Sequence, residues 1–245
     1  MDEFDEDDFL AYDSEAETTK WQRMLANPHP TEYLVATALI TEDPCTYVEI
    51  LETLQLRATP EVFEAARALC ESNSPRERQF GASILSRFGD VAPPLRVARR
   101  LRMSGEEDLC RHAEEYERPF GPEISETRTM PKEALAILLP MLERETDNET
   151  LRDVLCAIAE YQDFHPSITE HIAALRHHPD PHVRFTVSTR LSLNIEHPAA
   201  WQALTEMANE DEHESVRAAA REWLKMGRIL SRYEADDELP SLDAQ

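Results

Sequence analysis

A leucine or valine followed by arginine recurs in this chain with a nearly fixed spacing. It opens three helical patterns, "TLRDVLCAIA", "HVRFTVSTRL" and "SVRAAAREWL", where the arginines are Arg152, Arg184 and Arg217. A fourth copy, Arg78, lies slightly more than two such intervals before Arg152. The interval of roughly 33 residues falls within the period of roughly 20–50 residues that is typical of arrays built from one supersecondary unit. The chain is therefore expected to stack several copies of such a unit.

Each copy is predicted to be a pair of α-helices. In the best copy, Leu151, Val154, Leu155 and Ile158 follow the i, i+3, i+4, i+7 rule of a helix with one apolar face. The chain has only five glycines and no convincing period-two alternation, which indicates an all-α fold. Short polar turns make paired helices antiparallel. The predicted pairs are 60–72 with 75–88, 131–145 with 148–161, 166–178 with 180–193, and 198–209 with 213–226.

Two stretches of the chain are less regular. "TEYLVATALI" and "TYVEILETLQL" predict an irregular first pair, because terminal repeats cap the core. Arg111, one repeat interval after Arg78, marks a degenerate copy, and the next repeat arginine, Arg152, follows after a longer interval. The added residues belong to the connection 117–131, which is long enough to be functional or mobile. About six helix pairs are thus predicted within one domain, 18–229.

The net charge of −24 is concentrated at the two ends of the chain. Residues 1–17 hold nine acids and no base, and residues 234–245 hold five acids and no base. We expect a disordered acidic N-terminal tail over 1–17 and an acidic C-terminal tail over 230–245. Nucleic acid is an unsuitable partner, because phosphate binding needs clustered lysine and arginine. A partner protein fits the acidity better, and the negative charge favours a basic one.

No signal for a membrane or for secretion is visible in the sequence. The longest apolar stretch, "ALAILLPML" at 134–142, is too short to span a bilayer, and the N-terminus is acidic where a secretory signal is basic. A soluble cytoplasmic protein is expected, with a monomer favoured.

Cysteine and histidine patterns do not predict a metal or redox site. The four cysteines contain no CxxC and are expected to be reduced thiols. Six of the nine histidines fall in 165–197, but no HxxxH on one helix and no HExxH is present, so solvated turn residues are predicted. We predict no metal and no other cofactor.

These repeats resemble HEAT repeats. The resemblance rests on helix pairs that recur at this nearly constant interval, on the Val/Leu-Arg step, and on an acid in the turn of each pair, namely Asp147, Asp180 and Asp211. The short bacterial type also found in phycobilin lyases is the most similar, over roughly 30–228 and most strongly over 131–228.

The resemblance implies an α-solenoid in which turn acids and helix arginines form a ladder between neighbouring repeats. Arg184 would then be an inter-repeat strut, hydrogen-bonded to turn carboxylates. Arg78 departs from the pattern, because Asn73 and Ser74 stand where an acid is expected, and its partner is left open.

A solenoid exposes a concave surface lined by the second helix of each pair. Counted from the repeat arginine, positions −1, +2, +3, +6 and +7 are apolar and form the core, while +1, +5 and +8 form the surface. Phe185 at +1 would be an interface anchor, unless the register is one residue off. The candidate partner-binding residues on this surface are Gln79, Asp153, Glu160, Phe185, Thr189 and Glu222.

One basic cluster interrupts the acidic sequence, within "PLRVARRLR". Its arginines either pair with acids of the next helix or dock an acidic segment of a partner or of the N-terminal tail. They complete the set of candidate partner-binding residues as Arg96, Arg99 and Arg100.

The leading functional hypothesis is a non-enzymatic interaction module or scaffold that binds another protein on the concave face. No convergent acid, base and nucleophile is visible in the sequence. The resemblance also suggests an enzyme of the phycobilin-lyase type, which needs a chromophore pocket, or a HEAT-like DNA glycosylase, which is disfavoured because its concave surface is basic. An immunity or adaptor protein is a variant of the binding hypothesis.

Overall fold

The structure, a computed structural model, describes residues 23–24, 26–88, 131–162, 165 and 167–236. Helices and turns, with no strand, make up the described residues, and this confirms the all-α prediction. Ten α-helices have described bounds: α1 Thr31–Ile40, α2 Pro44–Arg57, α3 Pro60–Cys70, α4 Pro75–Ser86, α5 Pro131–Arg144, α6 Asn148–Ala159, α7 Ser167–Ala174, α8 Pro181–Leu191, α9 Pro198–Glu210 and α10 Glu214–Asp236.

Proline marks the first residue of six of these helices. Proline suits this position because its fixed φ matches a helix and the first N–H of a helix has no partner within it. A capping side chain often precedes the proline. The carboxylate of Asp43 accepts hydrogen bonds from the backbone N–H of Cys45 at 3.3 Å and of Thr46 at 3.0 Å, and Asp180 caps α8 in the same way. Local sequence therefore sets where the helices begin.

The helices divide into two compact units, and the first contains α1 to α3. Helix α1 packs against α2 and α3 around the buried side chains of Leu34 and Leu54. Arg57, the last residue of α2, donates hydrogen bonds to the carbonyls of His29, at 2.7 Å, and Asn27. The predicted pairing of 60–72 with 75–88 would span the two units and stays a prediction.

The second unit contains α4 to α10 and is built in two layers. The second helices of the repeats, α4, α6, α8 and α10, pack against one another in succession. In the other layer α7 packs against α9, and α5, α7 and α9 each pack against the helix that follows them in the chain. This arrangement is a short α-solenoid of stacked antiparallel helix pairs.

The observed helix bounds agree with the predicted ones to within about two residues, except for α7, whose predicted last turn is a 3₁₀ helix over Leu175–His177, and for the C-terminal end. A helix was expected over 213–226, but α10 continues to Asp236, into the segment predicted to be an acidic tail. The expected end coincides with Gly227, the residue type that commonly follows a helix. Here Gly227 lies inside the helix, and a Cβ at this position would lie 2.5 Å from Cδ1 of Ile195. The glycine therefore permits close packing rather than ending the helix.

Candidate protein-interaction surface

The second-helix face comprises positions +1, +5 and +8 after the repeat arginines of α4, α6, α8 and α10. The burial of the neighbouring positions shows that this register is right. On α6 all five predicted core positions are buried, from Leu151 to Ala159. One position of the face itself was wrongly predicted, because Ala157 at +5 on α6 is only 1% exposed.

Phe185 lies at position +1 on α8 and is 44% exposed. Its exposure follows from the start of the helix, where Asp180 accepts hydrogen bonds from the N–H groups of His182 at 2.7 Å and Val183 at 3.2 Å. This cap places Val183 and Val187 in the core and turns Phe185 away from it. The alternative that the register is one residue off, which would have buried Phe185, is wrong.

Asp153 occupies the same position on α6 that Phe185 occupies on α8. It is half-buried, and among the described residues no group donates a hydrogen bond to its carboxylate. Burial raises the pKa of Asp153 above its usual range, and the nearby charge of Arg152 opposes this only in part. A cationic group of a bound partner would stabilise the charged form of this half-buried carboxylate.

The other predicted site residues lie at different depths on this face. Gln79 and Thr189 are half-buried, and the hydroxyl of Thr189 donates to the carbonyl of Phe185 at 3.2 Å. Glu160 and Glu222 are exposed, and Glu222 lies 3.7 Å from the ammonium of Lys225. Arg96, Arg99, Arg100 and all of the 117–131 connection except Pro131 lie outside the described residues.

Arg184 forms the strut predicted between repeats. Its guanidinium donates to both carboxylate oxygens of Asp211, at 2.7 and 2.9 Å, and to the carbonyls of His178 and Pro179 at 2.8 and 3.0 Å. The side chains of Arg184 and Asp211 are only 6% and 4% exposed. Asp211 belongs to the turn of the following repeat, so this buried ion pair links α8 to the pair α9–α10.

The partner of Arg78, which the sequence left open, is Glu145. The guanidinium of Arg78 donates to both carboxylate oxygens of Glu145, at 2.7 and 2.8 Å, and the Glu145 side chain is 2% exposed. Glu145 lies in the turn of the following repeat, as Asp211 does for Arg184. The acid was missed because it was sought at Asn73 and Ser74, in the turn that precedes Arg78.

Arg152 does not form the predicted ion pair with a turn acid. The same rule would pair it with Asp180, but the carboxylate of Asp180 accepts from Nδ2 of Asn148 at 2.7 Å and from the backbone that it caps. The Nε–H of Arg152 donates instead to Oγ1 of Thr186 at 3.3 Å. The ladder therefore lacks a rung between α6 and α8.

Residues 132–225 match the family model described as HEAT repeats. They form a HEAT-repeat array. HEAT repeats commonly mediate interactions between proteins. No curated protein and no solved structure matches this sequence. The similarity to the short bacterial, phycobilin-lyase type of HEAT repeat stays a prediction.

The described residues were also compared with what a membrane span, a metal site or a reactive cysteine would require. Within the described ranges, no helix is both long and apolar enough to cross a membrane. In the same ranges no three histidine, cysteine or acidic side chains come together as metal ligands would. Cys45, Cys70 and Cys156 are free thiols, and burial raises the pKa of the Cys156 thiol. A raised pKa leaves less of the reactive thiolate at neutral pH.

The buried acids of the HEAT ladder are expected to make its stability depend on pH. Burial alone would raise the pKa of Asp211 and of Glu145, but hydrogen bonds from Arg184 and Arg78 and from backbone N–H groups outweigh it. Both pKa values therefore lie below their ordinary range. The stabilisation is present above the unfolded-state pKa values of about 4 and is lost as pH falls through the folded-state values.

We expect the urea midpoint of unfolding to fall between about pH 5 and pH 2. In Arg184→Met this fall should be shallower, because the unpaired Asp211 would gain stability on protonation. Urea titrations of both proteins at several pH values provide the test. Equal slopes would show that Asp211 does not depend on Arg184.

Proposed function

We propose that this protein is a non-enzymatic binding module or scaffold that holds a partner protein on the second-helix face of its HEAT array. The observation that carries the proposal is the exposure of Phe185 near the middle of that face. A large aromatic side chain that leaves the core is typical of the residues that contribute most of the binding energy in interfaces. The half-buried carboxylate of Asp153, at the equivalent position of the neighbouring helix α6, supplies a polar group on the same face.

Charge indicates the kind of partner. The candidate residues of the face include Asp153, Glu160 and Glu222, and the protein carries a net charge of −24. Such a field accelerates the approach of a basic protein and disfavours acidic ones. The same acids disfavour DNA, whose phosphates need cations. We place this binding in the cytoplasm, with the protein acting as a monomer.

Phe185→Ala is expected to remove the partner while leaving the fold intact. Loss of a central aromatic anchor should weaken binding by about 30-fold or more, which corresponds to about 2 kcal/mol. Because the side chain is 44% exposed, the free energy of unfolding should change by less than about 1 kcal/mol. The measurement is capture by the tagged protein from its native lysate at moderate salt, followed by mass spectrometry.

Leu193→Ala is the matched control. Leu193 is 61% exposed and lies in the short 3₁₀ turn after α8, at a position that is not part of the second-helix face. A stoichiometric protein that is lost with Phe185→Ala and retained with Leu193→Ala supports the proposal. A protein retained by both variants, or no partner in repeated preparations, contradicts it.

A further inference from the structure

Two arginines on neighbouring helices have no carboxylate partner: Arg152, at the missing rung of the ladder, and Arg190, which is not a ladder arginine. Arg152 on α6 and Arg190 on α8 have no acidic oxygen within 4.0 Å among the described residues. Arg78 and Arg184, by contrast, each bind both oxygens of one buried carboxylate. Arg152 is exposed, whereas Arg190 is half-buried, and a charged group is expensive to bury without a partner.

Arg190 has a hydrogen-bond donor that lacks an acceptor. The side chain is half-buried, and its Nε–H is fully buried without an acceptor in the described structure. Next to it Gln162, which is 6% exposed, donates from Nε2 to the carbonyl of Arg190 at 3.2 Å, while its own Oε1 is buried without a donor. Buried donors and acceptors in native proteins are nearly always satisfied, so the Nε–H of Arg190 is a donor available to an acceptor group.

Both arginines lie along the contact between α6 and α8. Arg152 donates to Thr186, which lies one turn before Arg190 on α8. Cys156 lies one turn after Arg152 on α6. Burial raises the pKa of the Cys156 thiol, while the charge of Arg190, a hydrogen bond from its guanidinium and the charge of Arg152 oppose that rise. Both cations therefore lie near the same thiol, although they come from different helices.

We propose that Arg152 and Arg190 form an anion-binding notch that takes the carboxylate of an acidic side chain of the bound partner. This inference rests on the proposed function and names one contact within it. The planar fork of an arginine matches the two oxygens of a carboxylate, as the pairs at Arg78 and Arg184 show in this chain. The contact would fix the register of a largely basic partner segment on the face.

A carboxylate fits this notch better than a phosphate does. Asp153 follows Arg152 directly, and its charge also acts on Cys156, so a second negative group is present close by. Asp153 forms no ion pair with either arginine. A singly charged anion is repelled less by Asp153, and by the acidic protein as a whole, than a phosphate that carries nearly two charges.

The notch can be tested with a small carboxylate by following the arginine Nε–Hε signals in NMR spectra of the ¹⁵N-labelled protein. The probe is N-acetylglutamic acid α-amide, which carries a single side-chain-like carboxylate, and sodium phosphate is titrated in a parallel arm at equal ionic strength. We expect a saturable shift of the Arg190 Nε–Hε signal at millimolar carboxylate, and a weaker response to phosphate. No saturable shift, or tighter binding of phosphate, would overturn the proposal.

Arg152→Gln should weaken binding of the carboxylate by about tenfold or more, because it removes a charged hydrogen-bond donor. Arg152 is exposed, so this variant is expected to fold. Arg221→Gln is the matched control, since Arg221 is an exposed arginine of α10 beside Glu214. It should leave the affinity within about twofold. Equal affinities of wild type and Arg152→Gln would exclude the notch.

The two proposals fail in different ways. If a lysate protein is lost with Phe185→Ala but the carboxylate does not bind, the notch is wrong and the binding face stands. If the carboxylate binds and depends on Arg152 while no captured protein depends on Phe185, the anion site exists but the protein-binding function that gives it an acidic partner side chain is wrong.

Discussion

Arg184→Met is expected to lower the free energy of unfolding by about 3–5 kcal/mol. The substitution keeps an unbranched side chain of similar length but leaves the carboxylate of Asp211 without its cation. Asp211 is 4% exposed, so water cannot replace the lost hydrogen bonds fully. The carbonyls of His178 and Pro179 also lose a donor. Urea denaturation followed by far-UV circular dichroism at neutral pH measures the change.

Arg217→Met is the matched control for Arg184→Met. Arg217 holds the equivalent position in the last described repeat, where it pairs within its own helix with Glu214, which is 68% exposed, and donates to the carbonyl of Asp211 at 2.5 Å. Exposed ion pairs contribute little, so a loss below about 1 kcal/mol is expected. The double variant Arg184→Met/Asp211→Asn should recover most of the stability, because it removes both buried charges and keeps an acceptor for the N–H of His213. A loss for Arg184→Met alone no larger than that for Arg217→Met would show that the strut does not hold the repeats together.

Leu155→Ala is expected to lower the free energy of unfolding by about 2–4 kcal/mol. Leu155 on α6 is fully buried, and α6 packs against α4 on one side and α8 on the other. Removing three carbon atoms leaves a cavity where the repeats stack, because packed helices relax only partly around it. Thermal and urea unfolding both report this loss.

Val187→Ala tests the same packing one repeat later. Val187 is also fully buried, but the substitution removes less of the side chain than Leu155→Ala does, so a smaller loss of about 1–2 kcal/mol is expected. Leu193→Ala, at an exposed position, should cost less than about 0.5 kcal/mol. If Leu155→Ala or Val187→Ala behaved like Leu193→Ala, the stacked core would not lie where the structure places it.

The sequence was enough to predict most of the helices and their register. The spacing of the repeat arginines, the proline and aspartate at helix starts, and the apolar period all act over a few residues. Local interactions of this kind depend little on the rest of the fold. For this reason the burial of Val187 followed from counting along one helix, whereas the exposure of Phe185 was left open by the sequence and was decided by the structure.

The end of α10 shows where local signals fail. Glycine commonly follows the end of a helix, yet α10 continues through Gly227. A glycine is needed at this position because Ile195 leaves no room for a Cβ. A glycine that is required by a distant neighbour and one that is required by a turn look the same in a sequence. Only the packed structure distinguishes them.

Tertiary structure decided which side chains form ion pairs and hydrogen bonds between the repeats. The sequence alone determined that helix pairs repeat, that they are amphipathic, and that an arginine lies at the edge of each core. It did not determine that Arg78 binds Glu145 in a distant turn, or that Asn148 holds Asp180 and leaves Arg152 to Thr186. The physical reason is that hydrogen bonds form between whichever groups the stacking of helices brings within about 3 Å, and that distance is not encoded in the spacing of residues along the chain.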